Sequence, residues 1–303
     1  MKPSKPLVTV AIPTLGRDAV LVDTIKQVLQ QDFDGFELII IDQTVHHDAA
    51  TQQFLVNCSD PRFRYYLVAP PSLPAARNFA TAHARGNIIV FIDDDVVLDP
   101  HFIRAHYQAF AHDPAIVAVG GRVINKVDTQ PLTKQPLGFD RYARGNGNSF
   151  NCATSQPGSS FPGGNMSIKL AALQSAGGFD TSFQRSAVRE ESDLATRLIK
   201  AGGKIWFEAD ASLLHLAAPA GGTRVVGHPF DGRSFYDNDL LFALKTVRLG
   251  DLPVSLTKRY ADAVRNQSLP AILRRTSLFA VGLTVAIRRR WWPSHIIAQE
   301  VAA

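Results

Sequence analysis

Short, continuous apolar runs recur along the first part of this chain, separated by stretches with helical periodicity, and this pattern most narrows what it can fold into. LVTVAI (7–12), FELIII (36–41), RFRYYLV (62–68), NIIVFI (87–92) and AIVAVGG (115–121) are each of strand length. Most lack the polar alternation of a strand with one wet face, which points to strands covered on both sides. Between the first two runs, Leu21, Ile25, Val28 and Leu29 repeat at helical spacing, with Thr14 and Asp18 as candidate start residues. LPAARNFATAHARG (73–86) reads as a second helix, with Pro74 in its first turn and Gly86 at its C-cap. Buried strands alternating with helices predict an α/β fold built on a mostly parallel sheet.

Acidic residues fall where these strands end. Asp42 closes the second run, and Asp93, Asp94 and Asp95 close the fourth. In open α/β sheets, ligands bind beyond the carboxyl ends of the strands. No GxGxxG follows the first strand and no GxxxxGK[ST] occurs, which argues against dinucleotide and P-loop enzymes. A phosphate ligand would then need another source of positive charge. Asp93 and Asp95, two apart in an extended chain, point the same way, and a divalent cation between them removes their repulsion and bridges to phosphates. A solvated turn is the plainer reading of three adjacent acids, but their place after a buried strand favours a site. His46, His47 and Asp48 are adjacent and lack matching ligands, so they predict no zinc site.

Charge is unevenly placed. The formal net charge is +5, yet residues 241–303 carry ten Lys/Arg and three Asp/Glu against 22 and 24 in the rest. A nucleic-acid binder would not concentrate its basic residues so, and no nucleic-acid partner is expected. The two cysteines, Cys58 and Cys152, are far apart in no metal-binding spacing, which fits a reducing, cytoplasmic compartment. Leu7–Ile12 before Pro13 is too short for a signal-peptide core. Residues 235–303 read as helical, and within them RRTSLFAVGLTVAIRRRWW (274–292) brackets the uncharged stretch 276–287 with arginines and tryptophans. That stretch is shorter than the roughly 20 residues of a membrane span. Its flanks suit an anionic membrane surface, peripherally on the inner face of the cell membrane; a helix docked on the rest of the chain is the other reading.

Five blocks carry a resemblance. VTVAIPTLGRD, ELIIIDQT, PAARNFATAHARGNIIVFIDDDV, PGGNMSIKLAALQSAGGFD and REESDLATRLIKAGGKIWF stand in the order found in family 2 glycosyltransferases, and over residues 7–216 the chain resembles that family. The resemblance implies a GT-A fold: a mostly parallel, mixed sheet flanked by helices, here occupying 1–230, with a basic helical appendage at 231–303. It implies an inverting transfer of a sugar from a nucleoside-diphosphate sugar, UDP first among them, to a hydroxyl of a glycan or lipid-linked acceptor, in surface polysaccharide or glycolipid synthesis. Mn²⁺ or Mg²⁺ would be the cofactor.

Residue by residue, the resemblance places Ala11, Ile12, Pro13 and Thr14 beside the base, Asp42 on a uracil-type base, and Arg77 near the base or phosphates. Asp93 and Asp94 would serve the nucleotide, Asp93 also assisting the metal. Asp95 would hold the metal, with His215 as an extra ligand or a structural histidine. Gly163, Gly164 and Asn165 would lie under donor sugar and acceptor, with Glu190 nearby. The long loop-like stretch 124–160, rich in Gly, Pro, Asn and Ser, would help shape the acceptor site.

Glu191 would be the catalytic base. Residues 189–203 read as a helix whose first turn holds Glu190, Glu191 and Asp193; acids there are stabilised by the helix dipole by about 0.3–1 kcal/mol each, which is an alternative reason for their presence. The chain departs from the family pattern at Glu191, where Asp is usual, and at Gln43, where a second acid often follows the first. The latter leaves thymidine or guanosine diphosphate sugars open. A metal-dependent nucleotidyltransferase or a non-catalytic nucleotide-sugar-binding relative are the alternatives.

Overall fold

The computed structural model describes residues 6–127, 131–146, 149–222, 232–293 and 295–301. The first half runs β1 (Val8–Thr14), α1 (Ala19–Leu29), β2 (Phe36–Asp42), α2 (Ala49–Asn57), β3 (Phe63–Ala69), α3 (Leu73–His83), β4 (Ile88–Ile92), β5 (Val96–Leu98), α4 (Phe102–Ala109) and β6 (Ile116–Asn125). The second half adds β7 (Gln156–Gly158), β8 (Asn165–Lys169), α5 (Leu170–Ser175), α6 (Glu190–Lys200), β9 (Lys204–His215), α7 (Arg233–Thr246), α8 (Leu252–Val264), α9 (Leu269–Trp291) and β10 (Gln299–Glu300).

One ten-stranded sheet results, in the order β10-β3-β2-β1-β4-β8-β6-β9-β5, with β7 on β9. β3, β2, β1 and β4 are mutually parallel, and β8 enters antiparallel between β4 and β6. The continuous apolar runs have a direct cause. Successive residues of a strand point to opposite faces, and helices cover both. Ala11, Ile39, Ile41, Ile89 and Phe91 pack with residues of α3, α5 and α6 on one face. Val10, Ile12, Leu38, Ile40 and Val90 pack with Leu21, Ile25 and Val28 of α1 and with Phe102 and Ile103 of α4 on the other.

Several elements differ from expectation. FPGGNMSIK, whose Pro and Gly residues suggest a loop, supplies the central strand β8 from Asn165 onward; those residues obscure the apolar strand behind them. The three-residue β5 escapes any periodicity argument. Asp18 stands at the N-cap of α1 without capping it, because its carboxylate is engaged by His47 and by the Asp48 amide. α3 stops at His83, and Ala84 is its C-cap. Gly86 serves another purpose: a Cβ there would lie 2.6 Å from the backbone of Val8 and Thr9. α6 does end on glycine, with Gly202 at φ +90 and the Gly202 and Gly203 amides on the carbonyls of Ile199 and Leu198.

The C-terminal part is not helical to its end. α7, α8 and α9 form a layer whose core includes Tyr236, Leu240, Phe242 and Ala286, closed by Ala143 and Phe183 of the preceding chain. Beyond α9 the chain is extended, buries Ala298 and adds β10 antiparallel to β3 at the sheet edge. The expected boundary at 230/231 lies in 223–231, outside the described residues. α9 is also longer than its uncharged stretch. By length and composition its 23 residues could cross a membrane, with a mean hydropathy of 1.3 over the best window. Its inner face is nevertheless committed to protein, with Arg275, Gly282 and Ala286 buried and the Gly282 backbone close against Tyr236.

Gly86→Ala forces backbone apart at the edge of β1 and should cost about 1–3 kcal/mol, read as a lower urea midpoint. Gly250→Ala, where an added Cβ would meet nothing within 4 Å beyond its chain neighbours, should stay within about 0.5 kcal/mol of the parent. Equal midpoints for the two variants would remove this reason for glycine at 86.

Candidate active site

A cleft of about 490 Å³ opens beyond the carboxyl ends of β1 and β4. Pro13, Thr14 and Gln43 line one side, Asp93, Asp94 and Asp95 the floor, and Gly163, Gly164, Glu190 and Glu191 the other side. Ala11 and Ile12 are core residues beneath it.

The three aspartates have three environments. Asp94 is turned inward. The Thr14 hydroxyl donates to its Oδ2 at 2.6 Å, and Arg17 Nε donates to its Oδ1 at 3.2 Å. Burial pushes this carboxyl up to about 6, against the pull of Thr14 and Arg17. Asp95 is also buried. Its Oδ2 accepts from the Ala218 amide at 2.8 Å and from Arg17 Nη2 at 3.2 Å, while Oδ1 faces His215 Nε2 at 3.3 Å. Burial opposes its charge, but His215, the Ala218 amide and Arg17 together hold its carboxyl below the usual range. Asp93 is half-exposed, with Oδ2 at 3.9 Å from His215 Nε2. A side chain at Gly164 could not coexist with it, since a Cβ there would lie 2.1 Å from Asp93 Oδ2.

One ligand atom from each of Asp93, Asp95 and His215 lies within 4.8 Å of the others. His215 Nδ1 bonds Asn125 Oδ1 at 2.9 Å. The ring thereby carries its Nε2 toward the two carboxylates, where a neutral imidazole would offer a lone pair to a cation. Two carboxylate oxygens and one imidazole nitrogen converging at this spacing fit a divalent cation.

Arg17 was not anticipated, although a basic residue directly after the first strand, in PTLGRD, was a usable signal. Besides Asp94 and Asp95, its guanidinium bonds the carbonyls of Ala218 and Ala220, and Gly222 N donates to Leu15 O at 2.7 Å. The segment after β9 is thereby tied to the segment after β1.

The paired glutamates separate in role. Arg189 adopts φ 76, a left-handed turn that starts α6. Glu190 is buried and ion-paired to Arg77 Nη1, and Arg77 Nη2 donates to Gly163 O at 2.8 Å. Burial pushes the Arg77 guanidinium down to about 10, while Asp93 and Glu191 pull it up. Glu191 is half-exposed in the cleft, its Oε1 accepting from the Ser192 hydroxyl at 2.6 Å.

Several candidates thus sit differently from the expectation. Asp42 is buried and fully occupied, by His47 Nε2 at 2.6 Å, the Thr44 amide at 2.8 Å and the Tyr65 hydroxyl at 3.0 Å. Its neighbour Gln43 lines the cleft instead. Asn165 is a framework residue: its Nδ2 donates to the carbonyls of Arg122 and Ala211, both at 2.9 Å, and its Oδ1 meets His106 Nε2 at 2.8 Å. Arg77 and Glu190 are buried against each other as an ion pair, with Arg77 Nε and Glu190 Oε2 left without a hydrogen-bond partner among the described residues, and Asp94 bonds Arg17. For Asp42, Asn165 and Asp94 the physical reason is the same: a buried polar group is costly unless it meets an internal partner.

Comparison with known proteins decides the family. The model described as "Glycosyl transferase family 2" matches residues 9–174, more than half of the chain. The chain belongs to glycosyl transferase family 2. WcaA of Escherichia coli (strain K12), named as a glycosyl transferase of colanic acid biosynthesis, is 34% identical over 109 residues, 35% of this chain and 39% of that protein. A Campylobacter jejuni protein named GalNAc(5)-diNAcBac-PP-undecaprenol beta-1,3-glucosyltransferase is 28% identical over 92 residues, 30% of each. The chain therefore spans well under half the length of these curated relatives.

Two solved structures share the fold of this family 2 chain. A Pyrobaculum calidifontis mannosyltransferase, in complex with GDP-Man and Mn²⁺, superposes with a TM-score of 0.56 at 18% identity, covering 97% of this chain and 89% of its own. GalNAc-T7, with UDP, GalNAc and Mn²⁺, gives 0.65 at 12% identity, covering 96% and 59%. The family match ends at residue 174, before Glu191 and His215.

Arg77→Met leaves Glu190 buried without its partner and should cost about 3–5 kcal/mol. Adding Glu190→Leu should recover most of that loss, as read by denaturant midpoints of the two single variants and the double. A double variant as weak as Arg77→Met alone would show that the pair is not what holds the two elements together.

Proposed function

We propose that this family 2 member is a metal-dependent, inverting glycosyltransferase that uses a nucleoside-diphosphate sugar. The observation that carries this reading is one cleft lined both by Asp93 and Asp95, whose carboxylates converge with His215, and by a separate, half-exposed carboxylate, Glu191. A divalent cation at that set, Mn²⁺ or Mg²⁺, would supply Lewis-acid stabilisation of charge on a departing diphosphate.

The remaining chemistry belongs to side chains of this chain. Pro13, Thr14 and Gln43 line the end of the cleft where a base would lie, and Gly163 and Gly164 let a sugar approach the backbone closely. The acceptor oxygen attacks the anomeric carbon while the bond from that carbon to the diphosphate breaks. The electron pair leaves with the nucleoside diphosphate, the hydroxyl proton passes to Glu191, and a single displacement inverts the configuration. Ser192 orients Glu191, and the Arg77–Glu190 pair holds the start of α6 in place beneath it. A base of this kind typically contributes about 10²–10⁴-fold.

The donor is a UDP-sugar in the first instance. Gln43, with its Nε2 on Pro70 O at 3.2 Å, stands where an acid would favour uracil, so GDP- and dTDP-sugars belong in the same trial. The names of the relatives support an acceptor in surface polysaccharide or lipid-linked glycan assembly. The outer face of α9 supports attachment to the inner membrane surface. It exposes Leu269, Leu273, Trp291 and Trp292, the tryptophans at 68% and 72%, beside the exposed Arg274, Arg288 and Arg290.

Glu191→Gln and Asp95→Asn should each lower sugar transfer by at least about 10²-fold. Nucleotide-sugar protection against thermal unfolding should require Mn²⁺ or Mg²⁺ and vanish in EDTA. Near-parental turnover in either variant refutes the role given to that residue. For the membrane reading, Trp291→Ser with Trp292→Ser should sharply reduce co-sedimentation with phosphatidylglycerol vesicles. Unchanged sedimentation would return α9 to a purely structural role.

A further inference from the structure

Outside the catalytic set, one polar cluster stands incomplete. Asp237, on α7, has a side chain only 1% exposed, yet neither of its oxygens accepts a hydrogen bond from any described residue. Three guanidiniums surround it: Arg185 Nη1 at 3.6 Å, Arg233 Nε at 3.7 Å and Arg289 Nη2 at 3.7 Å. These are ion-pair distances, too long for hydrogen bonds. Among the described residues none of the three arginines pairs with another carboxylate, so three positive charges meet one negative.

The arginines are held in different ways. Arg289 is buried to 10% exposure and anchored to Asn238 Oδ1 at 3.2 Å and Gln184 Oε1 at 3.1 Å. Arg185 and Arg233 are about half exposed, at 53% and 46%. Arg185 begins a segment in which Arg185, Ala187 and Arg189 all have positive φ, a strained course for residues with side chains. The same segment lines the catalytic cleft through Ser186, Ala187 and Val188, as do Gly232 and Phe235 beside Arg233. Arg289, from the other direction, lies on α9 two residues before Trp291. The cluster thus adjoins chain segments that line the cleft and lies within one turn, along α9, of its exposed aromatic end.

We propose that Arg185, Arg233 and Arg289 form a subsite for the diphosphate of a polyprenyl-linked acceptor, between its glycan in the cleft and its lipid at the membrane. The assignment rests on the glycosyltransferase reading above and deepens it. Guanidinium forks match phosphate oxygens bidentately, and a diphosphate offers the negative charge that Asp237 alone does not. Asp237 keeps the guanidiniums convergent before the ligand arrives, and it weakens ligand binding by its own charge.

The test is calorimetric titration of the full chain with geranyl diphosphate, a soluble polyprenyl diphosphate, in EDTA so that the Asp93–Asp95–His215 set cannot recruit it through a cation. Arg185→Gln with Arg233→Gln should weaken binding by about tenfold or more, the loss expected for two charge-assisted contacts. Asp237→Asn should tighten it several-fold. Nucleotide-sugar binding in Mn²⁺ should be unchanged in all variants, and its absence in the parent would instead sink the glycosyltransferase reading. Three results overturn the subsite: no binding by the parent, equal affinity in the parent and the double arginine variant, or a double variant that loses phosphatidylglycerol vesicle binding while keeping its affinity for geranyl diphosphate. The last would assign the arginines to phospholipid headgroups.

Discussion

Three adjacent carboxylates at the end of one strand cannot all remain charged in a partly buried cleft without compensation, and the architecture of the site follows from how their charge is divided. Asp94 is withdrawn into the protein and given to Thr14 and Arg17. Asp95 is shared, one oxygen to Arg17 and the Ala218 amide, the other toward His215. Asp93 keeps its exposure. The strand therefore leaves two acids rather than three, Asp93 and Asp95, converging with His215 on the face where alternate residues point together. Arg17 makes this division possible, and in doing so it ties the segments after β1 and β9 across the cleft.

The same logic orders the opposite wall. Glu190 and Glu191 are consecutive, but the left-handed Arg189 and the buried Arg77 send them to different environments. Arg77 also holds the Gly163 carbonyl, so one guanidinium joins α3, the glycine segment before β8 and the start of α6. A pair this buried contributes little net stability compared with apolar packing, since desolvation offsets most of its attraction. Its value is positional: it buries Glu190 in the cleft wall against Arg77 and leaves Glu191 the more exposed of the two.

The C-terminal helices are part of this arrangement rather than an attachment to it. Arg259 of α8 reaches Asp239 at 2.8 Å and the carbonyls of Tyr142 and Ala143, and Asp239 in turn bonds Arg189 at 3.0 Å. The backbone turn preceding the candidate base is thus braced by α7 and α8. α9 packs its inner face on α7 while exposing apolar and basic residues outward, and the chain then returns to pair with β3. Of the basic residues in 241–303, Arg274, Arg288 and Arg290 face outward, while Arg289 joins Arg185 and Arg233 around Asp237.

The local sequence determined the α/β class, most strand positions and the placing of the aspartates at a strand end, because apolar runs and the ends of buried strands are properties of consecutive residues. The family resemblance singled out Glu191, though not the reason that Glu190 is buried against Arg77 while Glu191 is more exposed. Tertiary structure alone decided which polar residues spend their hydrogen-bonding capacity inside the protein. Asp42 meets His47 and Tyr65, Asn165 meets His106, and Arg77 meets Glu190, the last from residues more than a hundred positions apart in the chain. No periodicity encodes such pairings. They arise because a buried polar group must be satisfied by whatever the fold brings within reach, and that is set only when the sheet and its helices have closed around it.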